Sequence, residues 1–270
     1  ERIAAIGYDY VGVSLDGIRE THDVFRRKEG AFDTSLHGVR LCRDAGIKIG
    51  VRFTLTQDNA HDLPALLKLV DDEGIDKFYL SHLNYAGRGN TNRGRDAFLE
   101  TTRKAMDLLL DTCWKNIQNG IEKEFVTGNN DADGVYLLHW VRRHYPEREA
   151  ALRAKLAQWG GNSSGVNVAN IDNLGNVRER PFSDIWRDTS DPLMAGLKAV
   201  PRTIKGRCGE CTYFDVCGGN TRVRALQLTG DAWQEDPACY LSDEEIGLTG
   251  DRERVPMKPY IGVRQSRLAT

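Results

Sequence analysis

The cysteines of this 270-residue chain are the residues whose type and spacing point most directly to chemistry. Four of the six fall in one stretch with the pattern C-x2-C-x5-C-x21-C: Cys208, Cys211, Cys217 and Cys239. The two-residue spacer lets neighbouring thiolates turn onto one inorganic centre. Four thiolates suit an iron–sulfur cluster or a tetrahedral zinc. A zinc ribbon usually repeats the C-x2-C knuckle, and this chain has it once. Gly218 and Gly219, after the third cysteine, would let backbone N–H groups approach sulfide. Arg222 and Arg224 would offset the charge of a thiolate-bound cluster. The first reading is therefore a closed 4Fe–4S cluster, structural or electron-transferring. Zinc comes second and four unligated thiols third. Cys42 and Cys113 stand alone.

A second set of candidates sits where apolar runs end. Ser14 and Asp16 close an apolar strand, and Asp16 can equally cap the following turn. Arg52 is a charge inside an apolar strand and needs a partner, either a ligand carboxylate or an acidic side chain. Thr54 is most simply a β-former. His22 and His82 lie at loop and strand ends; hydrogen-bonded structural histidines are the plainer reading, although histidine is also a natural proton shuttle. Asn129-Asn130-Asp131 reads first as turn chemistry. Arg88, Arg142 and Arg143 can take carboxylates bidentately, although an exposed helix face explains the last two better. Tyr79, Tyr85 and Trp140 can stack on a flat ligand, with core packing as the default.

The elements that must position these residues alternate. Strands are expected at Tyr10–Leu15, Ile47–Leu55 and Lys77–Ser81, with helices at Phe32–Ala45, Leu63–Glu73 and Arg95–Gln118. This order means βαβ units and a parallel sheet. The polar stretch 119–134 reads as a linker, followed by helical pieces at 135–144 and 147–159. Gly160-Gly-Asn-Ser-Ser-Gly165 is the clearest break. A hairpin is expected at 166–171 and 174–177, then a short helix from Phe182. Four regions result: a partial barrel (1–118), a helical linker or substrate-side segment (119–165), a cysteine-rich domain (166–250) and a tail (251–270).

Thirty-seven basic against 39 acidic residues argue against a general nucleic-acid binder. No apolar run approaches a membrane span, and no secretory signal opens the chain. A cytoplasmic location with reduced thiols follows as the expectation.

Taken together, these residues resemble radical S-adenosylmethionine (radical SAM) enzymes. Val13-Ser-Leu-Asp-Gly17 with Thr21-His-Asp-Val-Phe-Arg26 is similar to the fourth strand of their barrel and its loop. Gly46–Asn59 is similar to the fifth, and Lys77–Gly89 to the sixth. Asn176–Trp186 and the cysteines are similar to the SPASM/Twitch extension that carries an auxiliary cluster. Phe78–Arg88, Glu124–Gly134, His139–Arg143 and Gly219–Ala225 are similar to the NirJ family of heme d1 biosynthesis. That resemblance implies an α/β fold: the C-terminal half of a partial (β/α)6 barrel plus a small auxiliary 4Fe–4S domain. It implies SAM contacts at Ser14, Asp16 and Arg52, and a substrate side at Arg88, Asn129, Asn130, Asp131 and His139. It implies radical removal of propionates from a didecarboxysiroheme-type tetrapyrrole, with an electron donor such as a flavodoxin or ferredoxin.

The sequence also departs from the family. The C-x3-C-x-x-C motif of the catalytic 4Fe–4S cluster is absent, so the chain is expected to start half-way round the barrel and not to cleave SAM alone. The hairpin near 173–180 is short. Arg180 and Thr221 replace cysteines of the full SPASM pattern, which leaves one auxiliary cluster. The alternatives are a heme-synthesis decarboxylase, a peptide-modifying SPASM enzyme, or a non-catalytic module that binds zinc or a cluster through four cysteines.

Overall fold

Period-two alternation of large apolar residues builds the sheet. The computed structural model describes residues 2–168, 178–250 and 254–255. Four parallel strands, β1 (Tyr10–Ser14), β2 (Lys48–Leu55), β3 (Lys77–His82) and β4 (Glu124–Gly128), lie in sequential order. Ile49, Val51, Phe53 and Leu55 of β2 and Phe78 and Leu80 of β3 are buried on one face. The rings of Phe53, Phe78 and Phe125 run across that face with centroids 6.4 and 6.5 Å apart.

The connections are helical, as parallel strands require. The helix Ala31–Asp44 buries Phe32, Leu36 and Val39, one stripe at 3.6-residue spacing, and packs on β1 and β2. The helix Leu63–Asp72 buries Leu63, Leu66, Leu67 and Val70. The helix Leu99–Gln118 buries Thr102, Ala105, Met106 and Leu109.

β4 corrects the sequence reading. Its residues lie in the stretch read as a helical linker, because EFVTG is short and flanked by polar residues. The structure seats it by charge and register. Glu124 takes Lys48 and Lys77 at 2.5 and 3.1 Å, and Phe125 stands opposite Phe78. The 87–92 loop also contains a turn of helix, Arg88–Thr91.

The chain divides between Asp133 and Gly134 into two compact units. The second is helical among the described residues, with helices at Glu149–Trp159, Phe182–Arg187, Pro192–Lys198, Gly206–Glu210, Phe214–Cys217 and Arg222–Thr229. Most of the expected hairpin, residues 169–177, lies outside the described residues, as does nearly all of the tail. No described helix is long and apolar enough to cross a membrane.

Candidate functional site

The sheet's second face is polar. It carries Tyr10, Ser14, Arg52, Thr54, Tyr79 and Ser81. Register places Ser14 beside Arg52, Arg52 beside Tyr79, and Thr54 beside Ser81. Arg52 is exposed, with its guanidinium 5.2 Å from the Tyr79 ring centroid. Two glycines make this face possible. A Cβ at Gly50 would collide with the Tyr10 hydroxyl, and one at Gly128 with the Tyr79 hydroxyl. Each tyrosine therefore reaches across its neighbouring strand where only glycine leaves room.

At the strands' C-terminal ends the polar groups are tied together. Asp16 is fully buried. One of its carboxylate oxygens accepts the Thr54 N–H at 2.8 Å, and the other pairs with Arg26. Asn59 donates to the carbonyls of Asp16 (3.1 Å) and Thr54 (2.8 Å) and accepts from the Thr56 N–H. The Asp16 N–H donates to His22 Nδ1 at 2.8 Å. Burial pushes the Asp16 pKa up, against the pull of the Thr54 N–H and Arg26. Burial lowers that of His22. Both carboxylate oxygens of Asp16 are engaged within the chain, by Thr54 of β2 and by Arg26, and the Ile18 N–H of the following turn goes to Asp62.

Beyond these ends lies a cavity of about 590 Å³. Arg26, Arg27, Arg88 and Arg95 line it, against two carboxylates, Glu20 and Asp58. Arg26 is held by Asp16 and Arg95 by Asp58. Arg27 and Arg88 are exposed and form no ion pair among the described residues. Val24 and Phe25 add apolar surface at 63% and 36% exposure.

β3 and β4 end in a second polar knot. His82 Nε2 meets Asp133 at 2.9 Å, both buried. Asn129, at φ +67°, donates to Ser81 Oγ at 2.8 Å. Buried Asn130 accepts from the Ala132 N–H.

In the second unit, Cys208 lies in the helix Gly206–Glu210, Cys211 just after it, Cys217 at the end of Phe214–Cys217, and Cys239 beyond Arg222–Thr229. All four are free thiols. Three are offered backbone N–H groups: Cys208 by Asp236, Cys211 by Tyr213 at 3.4 Å, and Cys239 by Leu241. Thiolates of iron–sulfur clusters accept such bonds. The Gly218 N–H donates to the Phe214 carbonyl at 2.8 Å. Gly218 and Gly219 hold left-handed turns, at φ +61° and +79°.

Burial pushes the Cys208 thiol up to about 12 and raises Cys211 and Cys239. Such thiols ionise only against a strong positive centre, and a metal provides one. Among the described residues, no three or more Cys, His, Asp or Glu side chains converge as a single-ion site. Ligands of one zinc must converge on it at about 2.3 Å, whereas thiolates of a 4Fe–4S cluster each take a different iron and stand further apart. Four thiols in one unit are a donor set that a 4Fe–4S cluster takes.

No protein-family model matches the chain. Pre-heme d1 synthase of Dinoroseobacter shibae is 53% identical over 98% of this chain and 69% of its own length. The chain belongs to the pre-heme d1 synthase family of radical SAM enzymes. Fe-coproporphyrin III synthase of Methanosarcina barkeri is 44% identical over 92% of the chain and 66% of its own length. The chain thus spans about two thirds of these relatives. Among solved structures, native anSMEcpe with bound AdoMet and the Cp18Cys peptide shares the fold. Its TM-score is 0.60 at 14% identity, over 91% of this chain and 68% of that one.

Within this family's fold, Ser14, Arg52 and Thr54 share the polar face, and Arg88 lines the cavity. Asn129, Asn130 and Asp131 follow β4 but do not line that cavity. His139 belongs to the second unit, where it lines a separate cavity of about 370 Å³ with Arg142 and Tyr213. Tyr85 and Trp140 take the default and are buried. Sequence reasoning missed Arg27 and Arg95 as cavity residues. The available signal was that both arginine-bearing segments follow strand ends, where a β/α barrel opens.

Proposed function

We propose that this chain forms the substrate wall and auxiliary-cluster region of a radical SAM enzyme of heme d1 synthesis. The reaction is removal of propionate side chains from a didecarboxysiroheme-type tetrapyrrole. The observation that carries this reading is the strand-end cavity. Unpaired Arg27 and Arg88 match carboxylates bidentately, and Val24 and Phe25 offer apolar surface to a macrocycle. Arginine lining is the feature that separates a tetrapyrrole pocket from a peptide groove. Similarity to two synthases of tetrapyrroles supports the same substrate class.

Toward SAM, the chain offers Ser14 and Arg52 on the polar face, while Asp16 fixes the loop beside them. SAM at a reduced catalytic cluster supplies hydrogen-atom abstraction. No C-x3-C-x2-C set occurs among these residues, so by themselves they would not cleave SAM. Cys208, Cys211, Cys217 and Cys239 would hold the auxiliary 4Fe–4S cluster. An external electron donor of the flavodoxin or ferredoxin type belongs to this reading.

The test is an absorption titration of the protein with a propionate-bearing iron porphyrin and with its methyl ester. The free acid should bind and the ester should not. Equal binding of the two would remove the arginine argument and with it the assigned substrate class.

A further inference from the structure

Four arginines are buried in the cysteine-bearing unit: Arg202 donates to the carbonyls of Leu197 and Ser164, and the charges of the other three are met differently. Arg224 is fully buried and holds Asp236 through Nε at 2.9 Å and Nη2 at 2.7 Å. Arg207 pairs with Asp243 and donates Nη2 to the Leu241 carbonyl at 2.8 Å. Arg222 is only 6% exposed and forms no ion pair or hydrogen bond with a carboxylate among the described residues. Its Nε donates to the Asn220 carbonyl, and its Nη1 to the carbonyls of Ala232 and Gln234 at 3.2 and 2.6 Å. Its Nη2 is buried with no hydrogen-bond partner, and so is Oγ1 of the adjacent Thr221.

A buried donor left unmade is costly, and a buried charge without a counter-charge more so. Unmet buried polar atoms on two consecutive residues are stable when a resident anion meets them. Asp236 attracts Arg222 without hydrogen-bonding it, and after Asp236 the charges that act on it most are those of Cys208 and Cys217, so two of the four sulfurs lie within its electrostatic range.

We propose that Arg222, through Nη2–H and with Thr221 Oγ–H beside it, hydrogen-bonds the auxiliary cluster and raises its reduction potential. This rests on the reading that the four cysteines hold a 4Fe–4S cluster. A positive donor favours the reduced, more negative state of the one-electron couple. Arg207 and Arg224 contribute less, because Asp243 and Asp236 already neutralise them.

The experiment is an EPR-monitored redox titration of the anaerobically reconstituted protein and of Arg222→Gln, with iron and sulfide measured on the same samples. Both should hold about four irons. The variant's midpoint should fall by at least a tenfold change in the equilibrium, about 59 mV for one electron. Thr221→Val should shift it the same way by less. Full iron with an unchanged midpoint overturns the proposal and leaves the cluster standing. Zinc without iron in the wild type overturns both. If Arg222→Gln holds no iron, the wild type decides. With 15N-labelled arginine, pulsed EPR of the reduced cluster should show nitrogen coupling, and its absence overturns the proposal.

Discussion

Arg27 and Arg88 stand exposed around the strand-end cavity, whereas Arg207, Arg222 and Arg224 are buried around the cysteines. The two settings place different demands on the same side chain. An exposed guanidinium keeps its hydration, so leaving it unpaired costs little and it stays available to a carboxylate that comes and goes. A buried guanidinium must be compensated for as long as the protein is folded. Of these, Arg207 and Arg224 meet carboxylates of the chain itself, while Nη2 of Arg222 has no hydrogen-bond partner. On the proposed function, the cavity serves exchange and the cysteine region a resident group.

The sharpest way to break that contrast is to remove ligands. Cys208→Ala with Cys211→Ala should take iron and sulfide from about four each per chain to near zero after reconstitution. The second unit should also unfold at lower denaturant, because binding a structural metal is part of folding. A single tightly held zinc with no iron would sink the assignment.

Breaking the buried pair comes next. Arg224→Leu leaves the Asp236 carboxylate buried and uncompensated, and should cost about 3–5 kcal/mol in urea unfolding. Arg224→Leu with Asp236→Leu should recover most of that loss. Arg88→Gln should leave the urea midpoint unchanged. If Arg224→Leu were equally silent, the claim that the buried arginines need their partners would fail.

The cavity arginines should show the reverse profile. Arg27→Gln and Arg88→Gln should each weaken binding of a propionate-bearing iron porphyrin roughly tenfold, the value of a charge-assisted hydrogen bond. Added salt should shrink that difference. Unaltered affinity in both variants would move the substrate away from this cavity.

Much of this was legible in the sequence because period and spacing carry it. β2 and β3 announce themselves by alternation, and the helix Leu63–Asp72 by its apolar stripe. The cysteine spacing raises the expectation of an inorganic site, which the proposed function carries forward. β4 was not legible, since a strand of five residues owes its place to Glu124 meeting two lysines from other strands. Asp16 and Arg52 were ambiguous for the same reason. Their roles depend on register: Arg52 falls on the open face beside Tyr79, while Asp16 is folded inward onto Thr54 and Arg26. Arg222 and Arg224 look equivalent two positions apart, and only the fold lets Arg224 hydrogen-bond Asp236 while Arg222 donates to carbonyls.

The smallest expected effect probes how the cavity's floor is held. His22 is buried and accepts the Asp16 N–H on Nδ1, so the folded state needs it neutral at that atom. Burial outweighs the attraction of Asp16, with Arg26 adding repulsion, and the pKa falls below its ordinary 6.5. The unfolded chain therefore takes up the proton first as pH drops. The contribution of His22 is fully present above pH 6.5 and is lost as pH falls below it. In urea unfolding from about pH 8 to 5.5, wild type should exceed His22→Gln by about 1 kcal/mol at the upper end. That gap should close toward the lower end. Effects common to both proteins cancel in the difference. A gap constant across the range would mean that His22 keeps its proton in the fold, and that the Asp16 N–H is held by something else.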